Sequence, residues 1–244
     1  MTRSVGLIGY GRFGRLAARY CARDAAVYVH DPGVRVRSSG RIRRASLALA
    51  ASQPVVILAV PVSSMKEVLR AMRPAVRPGA LVVDVCAVKT RPLEWMRKML
   101  PATVSLLGTH PLFGPDSDTG TLAGQRIVVT PGRKGRAWLG TVRAAARRHG
   151  VILHVMTPDA HDRLMAETLL LTQYIGRLPG EAGIPLRSWS TPSYAQLRML
   201  VRTARSDSKE LFADMWKYNP YGARTARALL RSHRALLGRT RGSV

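Results

Sequence analysis

The sequence predicts an α/β domain over residues 1–156, followed by an all-helical domain over residues 157–244. Three observations lead there. Up to about residue 155, short apolar runs alternate with stretches whose apolar residues recur at helical spacing. Those runs are close to continuous, as expected of parallel strands covered on both faces. From TPDAHDRLMAETLLLTQYIGRL (157–178) onward the spacing is helical and the strand-like runs stop.

The elements follow in order. Residues 5–9 form a first strand that runs straight into GYGRFG (9–14). Phe13, Leu16, Ala17 and Tyr20 then recur as one face of a helix. AVYVHD (26–31) reads as a second strand, stopped by Pro32-Gly33. PVVILAV (54–60) and LVVDV (81–85) are buried strands, with the helical SSMKEVLRAMRPAV between them. VSLL (104–107) and RIVV (126–129) are further strands, and HPLFGP is expected as a stiff loop after the first of them. A helix over 134–148 and a strand at VILHV (151–155) complete the sheet, which is expected to be parallel. Thr157 or Asp159 caps the first helix of the second domain. Others start near Thr191-Pro192-Ser193, span 207–216, and run from about Asn219 into the arginine-rich end.

Composition bounds the function. The 244 residues are 46% apolar, enough for a sizeable core and against disorder. Basic residues outnumber acidic ones 39 to 14, giving +25, and only six of the basic residues are lysines. The arginines are spread along the whole chain instead of forming a stripe. A compositional bias therefore accounts for them better than a nucleic-acid surface does. Cys21 and Cys86 make no disulfide framework. There is no signal-peptide core and no run of roughly 18 to 20 apolar residues to cross a bilayer, so a soluble cytoplasmic protein is expected. No cluster of His, Cys, Asp or Glu has metal-ligand spacing.

GYGRFG matches G-x-G-x-x-G at Gly9, Gly11 and Gly14, after a strand and at the start of a helix. This is the Rossmann-type dinucleotide fingerprint. Gly9 makes the tight turn, Gly11 lets the backbone approach a pyrophosphate, and Gly14 lets helix and strand pack closely. Arg12 and Phe13, between Gly11 and Gly14, are expected beside the cofactor. The helix start offers unpaired N–H groups to the anion. Asp31, at the end of the second strand, is placed to accept ribose hydroxyls. It favours NAD, because a 2′-phosphate would meet like charge. Arg35 and Arg37 follow closely and keep NADP open. Val60 and Pro61, at the end of the PVVILAV strand, face the crevice as an apolar floor for the nicotinamide.

A second set of motifs runs in order: VDVCAVK (83–89), GTHPLFGP (108–115), HDR (161–163), TQYIGR (172–177) and ARSDSKELF (204–212). With the fingerprint, they resemble the prephenate/arogenate dehydrogenase family of tyrosine biosynthesis over most of the chain. The resemblance implies oxidative decarboxylation of a small anionic cyclohexadienyl substrate. It also implies hydride transfer to NAD(P)+ and a helical domain that makes a homodimer. It assigns the general base to His110, whose ordinary pKa suits a neutral proton acceptor. It gives the substrate carboxylates to Arg202, or to Arg205 one turn away, since arginine forks suit carboxylates. Lys89, at a strand end, is expected to touch cofactor or substrate. His161 and Asp162 are expected to cap and orient the interdomain helix.

Two positions depart from the family pattern. Ala87 stands where relatives carry a serine near the ring hydroxyl. Gln173 stands where they often carry a histidine; it can still hydrogen-bond, whereas Ala87 cannot. These departures keep two other readings open: an imine or 2-hydroxy-acid dehydrogenase on the same scaffold, and a non-catalytic nucleotide-sensing or RNA-associated relative.

Overall fold

The near-continuous apolar runs VGLI and VVIL place both strands in the middle of a sheet, where Leu7, Ile8, Val56 and Leu58 are buried. The computed structural model describes residues 4–189 and 191–241. Its first compact unit runs to His161 and the second starts at Asp162, so the divide falls inside a helix.

The first unit is an eight-stranded sheet with helices. β1 (Ser4–Ile8) leads into α1 (Arg12–Cys21) and then β2 (Ala26–His30). β3 (Ile42–Arg44) and α2 (Leu47–Ala51) come next, and neither has a periodic signal long enough to read from sequence. β4 (Val55–Leu58), α3 (Met65–Met72), β5 (Leu81–Asp84), α4 (Thr90–Met99) and β6 (Ser105–Pro111) follow. β7 (Arg126–Pro131), α5 (Leu139–His149) and β8 (Ile152–Val155) close the sheet. The strand order is β3-β2-β1-β4-β5-β6-β7-β8. The first six strands in that order are mutually parallel.

The sheet departs from the all-parallel expectation at one pair: β7 runs antiparallel to β6. The reason is the connection. Residues 112–125 contain no helix, and a parallel return needs a crossover, usually helical. A second difference concerns HPLFGP. Its histidine is not in a loop, because β6 continues to Pro111 and pairs His110 with Val128.

Within this unit, β5 and β6 are locked by a buried ion pair. Asp84 and Lys89 are both 0% exposed and form a salt bridge. Lys89 Nζ also donates to the Thr109 carbonyl at 2.7 Å, and Thr109 Oγ1 donates to the Asp84 carbonyl at 2.9 Å. A Cβ at Gly108 would collide with Thr130 Oγ1 and press on Leu93 and the Lys89 stem, so glycine suits this crowded position. Asp84 Oδ2 is buried without a partner, and burial pushes the Asp84 carboxyl up despite the lysine.

The second unit is helical. α6 (Pro158–Glu167) straddles the divide, followed by α7 (Leu169–Glu181), α8 (Pro192–Ser206), α9 (Lys209–Tyr218) and α10 (Gly222–Arg241). Of the two N-cap candidates for α6, Thr157 accepts from Ala160 N at 3.1 Å. Thr191 and Ser208 cap α8 and α9 through their hydroxyls. α7 lies close on α8 because Gly176 has no side chain to meet Ala204 and the Leu200 carbonyl. Tyr174 stacks on Trp216 at 5.6 Å between centroids. Among the described residues, no helix is long and apolar enough to cross a membrane, and no group of three His, Cys, Asp or Glu could hold a metal.

The ion pair generates a stability prediction. Lys89→Met strands a buried carboxylate and should destabilise the protein by about 3 to 5 kcal/mol in urea unfolding. Adding Asp84→Asn should recover a large part of that loss. A cost below about 1 kcal/mol for Lys89→Met would mean that the ammonium is hydrated in solution.

Candidate functional site

The carboxyl ends of β1, β4, β5 and β6 lie along one edge of the sheet, and each carries residues singled out from sequence. The glycine loop follows β1. Gly9 has φ +100°, and a Cβ there would collide with the Ala59 carbonyl; one at Gly14 would collide with the Gly9 carbonyl. Both glycines are therefore required by the fold itself. Gly11 differs: a Cβ there would meet nothing within 4 Å. It is also the N-cap of α1, with no side chain capping the helix. The protein's own packing gives no reason for glycine at this position, but a ligand laid against the backbone would. The loop thus fits a dinucleotide pyrophosphate at a helix start.

Asp31, just past β2, is oriented by backbone donors. Tyr10 N, inside the glycine loop, donates to Oδ2 at 2.6 Å, while Gly33 N and Val34 N donate to Oδ1 at 2.8 and 2.9 Å. The carboxylate is thereby tied to the loop it was expected to serve, and Oδ2 keeps acceptor capacity. Arg35 and Arg37 are exposed on the following segment, on either side of buried Val36. Val60 is half-buried, with its side chain beside Gly9, and Pro61 is exposed. Phe13 is half-buried in the first turn of α1. Arg12 is engaged elsewhere, forming an exposed ion pair with Asp116.

That pair belongs to a strap the sequence did not reveal. After β6, the chain returns over α1. Asp118 accepts from Arg19 and from the Tyr20 hydroxyl, Arg23 donates to the Gly120 carbonyl at 2.9 Å, and Phe113 sits edge-on to Tyr20. The HPLFGP segment is thus fastened to the fingerprint helix by charges about a hundred residues away in sequence.

His110 lies three residues beyond Leu107 on β6, past the last β5–β6 register pair at Gly108. It is 7% exposed. Its Nδ1 is 2.9 Å from Nε2 of His161, which is fully buried, and the rings meet edge to face at 71°. Burial first, then the neighbouring His161 and Lys89, hold the His110 imidazole well below its ordinary value of 6.5. It is therefore neutral at physiological pH and able to accept a proton. His161 was read from sequence as a helix-orienting residue. Its contact with His110 spans 51 positions, and no local pattern signals it.

Ala87 is half-buried in the turn between β5 and α4, next to buried Cys86, whose thiol reaches the Val60 carbonyl at 3.6 Å. Lys89 requires correction. It was expected beside cofactor or substrate, but it is wholly interior, with its ammonium on Asp84 and Thr109. A strand-end lysine looks available from sequence only because the carboxylate that neutralises it cannot be assigned there.

The remaining candidates lie in the helical unit. Gln173 on α7 is 2% exposed, and its Nε2 donates to Asp207 Oδ2 at 2.5 Å. Arg177 donates to the Gln173 side-chain oxygen at 3.4 Å and to the Asp207 carbonyl at 3.1 Å. The amide is thus committed to joining α7 to the α8–α9 junction. Arg202 and Arg205 are exposed on α8, and the Arg205 guanidinium lies over Gly180 of α7.

Comparison with known proteins agrees with this architecture. The family model described as prephenate dehydrogenase, nucleotide-binding domain, matches residues 30–155, slightly more than half of the chain. A 4-amino-4-deoxyprephenate dehydrogenase from Streptomyces pristinaespiralis is 30% identical over 93% of this chain and 81% of its own length. Arogenate dehydrogenase 2 of Arabidopsis thaliana is 29% identical over 88% of this chain. The chain spans only 36% to 64% of the length of three arogenate-type relatives. Among solved structures, prephenate dehydrogenase from A. aeolicus, in complex with hydroxyphenyl propionate and NAD+, superposes with a TM-score of 0.74. It covers all of this chain and 93% of its own at 19% identity, so the likeness is one of fold. The nucleotide-binding half and the Streptomyces match, which spans most of both chains, lead to one assignment: the chain belongs to the prephenate dehydrogenase family.

Proposed function

We propose that the chain oxidises a cyclohexadienyl carboxylate of the prephenate or arogenate kind, with loss of carbon dioxide and reduction of a nicotinamide dinucleotide. The observation that carries this reading is His110, a neutral imidazole at the same sheet edge as the glycine loop, with one nitrogen tethered. When bound, the dinucleotide supplies the hydride acceptor. Gly9, Gly11 and the open start of α1 would hold its pyrophosphate, Asp31 would take ribose hydroxyls, and Val60 and Pro61 would offer the nicotinamide an apolar surface.

His110 takes the proton of the ring hydroxyl as the carbinol carbon is oxidised. The electrons of the breaking carbon–carboxylate bond then enter the ring, carbon dioxide leaves, and the ring becomes aromatic. His110 returns its proton to the phenolate oxygen and is neutral again. Arg202, with Arg205 as the second choice, is the fork for a substrate carboxylate. The helical unit pairs with a second copy of the chain, a role supported by the exposed Met199, Leu236 and Leu237.

A second substrate reading has its own support. Ala87 offers no side-chain partner to a ring hydroxyl, and the Streptomyces relative is named for a substrate bearing an amino group in place of that hydroxyl. Assays should therefore compare prephenate, arogenate and 4-amino-4-deoxyprephenate, reading NAD(P)H formation. Turnover of none of them would favour an imine or 2-hydroxy-acid substrate, or a non-catalytic role.

Three outcomes are expected. In calorimetric titration, NAD+ should bind at least tenfold tighter than NADP+, about 1.4 kcal/mol, and Asp31→Asn should narrow the gap. A tenfold preference for NADP+ would assign the 2′ position to Arg35 or Arg37. His110→Asn should lower kcat roughly 100- to 10,000-fold while NAD+ affinity holds, and an unchanged kcat would remove His110 from the chemistry. Finally, a base with a depressed pKa stays neutral as pH falls. The acid limb of kcat/KM should thus lie well below about pH 6.5, the value of a free histidine. A limb at or above that value would mean that His110 is solvated in the working enzyme.

A further inference from the structure

We infer that His161 is the positioning residue of the base: it holds His110 in the tautomer whose Nε2 carries the lone pair, and it stabilises the imidazolium formed there. This rests on the reading of His110 as the proton acceptor. Two imidazole nitrogens 2.9 Å apart can share only one hydrogen between them. Were both rings charged, two N–H groups would face each other inside a buried site. One ring is therefore the donor and the other a neutral acceptor.

Of the two arrangements, only one makes His110 a base. If His161 Nε2 donates, the neutral His110 carries its hydrogen on Nε2 and has no lone pair left for a substrate proton. If His110 Nδ1 donates, its Nε2 is the free acceptor. Capturing a proton there then turns Nδ1–H···Nε2 into a charge-assisted bond, roughly twice as strong as a neutral one. The contact thus strengthens as the proton is transferred.

The neutrality of the partner matters as much as its position. A carboxylate in the place of His161 would favour a charged His110 before substrate arrives. A second histidine orients the ring without doing so, and burial, followed by His161 itself and Lys89, holds the resting His110 below its ordinary value. The fold also delivers His161 rigidly. Thr157 caps α6, the His161 backbone N–H closes onto the Thr157 carbonyl at 3.0 Å, and the ring is fully enclosed. Among the described residues, no third His, Cys, Asp or Glu joins the pair as a metal-ligand group.

The test combines a spectroscopic measurement with two variants in the full-length protein. With 15N-labelled histidine, and His110→Asn used to assign the spectrum, His110 in the wild-type protein should be protonated on Nδ1 and bare on Nε2. Finding the hydrogen on Nε2 overturns the proposal without any variant at His161. His161→Leu should lower kcat roughly ten- to a hundredfold, with KM and NAD+ affinity little changed. His161→Gln, whose amide oxygen can occupy the place of Nε2, should restore much of that loss. A wild-type kcat in a folded His161→Leu protein, or no rescue by glutamine, also overturns it. Should the leucine variant fail to fold, the tautomer and the glutamine variant decide. If His110→Asn abolishes turnover while His161→Leu does not affect it, only this inference fails. If His110→Asn is active, the reading beneath it fails.

Discussion

The buried Lys89–Asp84 pair is the constraint on which the candidate site at the sheet edge depends. Two charges taken out of water require a fixed geometry, because a small displacement leaves either one uncompensated. That geometry joins the end of β5, the turn carrying Ala87, the start of α4 and the Thr109 carbonyl of β6. His110 is the next residue along. Its backbone is placed by pairing with Val128 of β7, and glycine at 108 leaves room for Thr130, Leu93 and the Lys89 stem. The same ammonium acts on His110 after burial and His161, which come first in holding its imidazole well below the ordinary value.

Around this edge the glycines divide the work in a way their spacing alone does not disclose. Gly9 and Gly14 answer to steric contacts within the protein, whereas Gly11 answers to open space. Asp31 is drawn toward the loop by the Tyr10 N–H, which couples the end of β2 to the turn that follows β1. The strap from Phe113 to Gly120 adds a third tie, anchoring the segment after His110 to α1 through Asp116 and Asp118. These surface pairs are each worth little in stability. Their consequence is geometric: they give a 14-residue connection without helix a defined course.

In the helical unit, the departure at Gln173 has a structural use. Its amide faces Asp207 and Arg177, so a buried polar knot replaces what would otherwise be an unpaired group between α7 and the α8–α9 junction. The chemistry of position 173 is therefore tied to helix packing. Ala87, in the β5–α4 turn, has no side-chain group able to make a comparable contact.

The sequence by itself determined the order of the main strands and helices, the glycine loop with Asp31, the switch to helices after β8, and the motifs that mark the family. All of these are local: periodicity, caps and short spacings are written within a few residues. Tertiary structure alone decided that β7 runs against β6, that Lys89 turns inward, that His110 sits on a strand, and that His161 is its partner. Each of these depends on groups that meet across the sheet or across 51 residues, where a residue type says nothing about its distant neighbour. β3, with three residues, and α2, with five, are too short to carry a period, and packing on β1 and β2 holds them. In a chain with a charge of +25, it is burial and pairing, neither of them visible in composition, that separate a working cation such as Lys89 from the solvated majority.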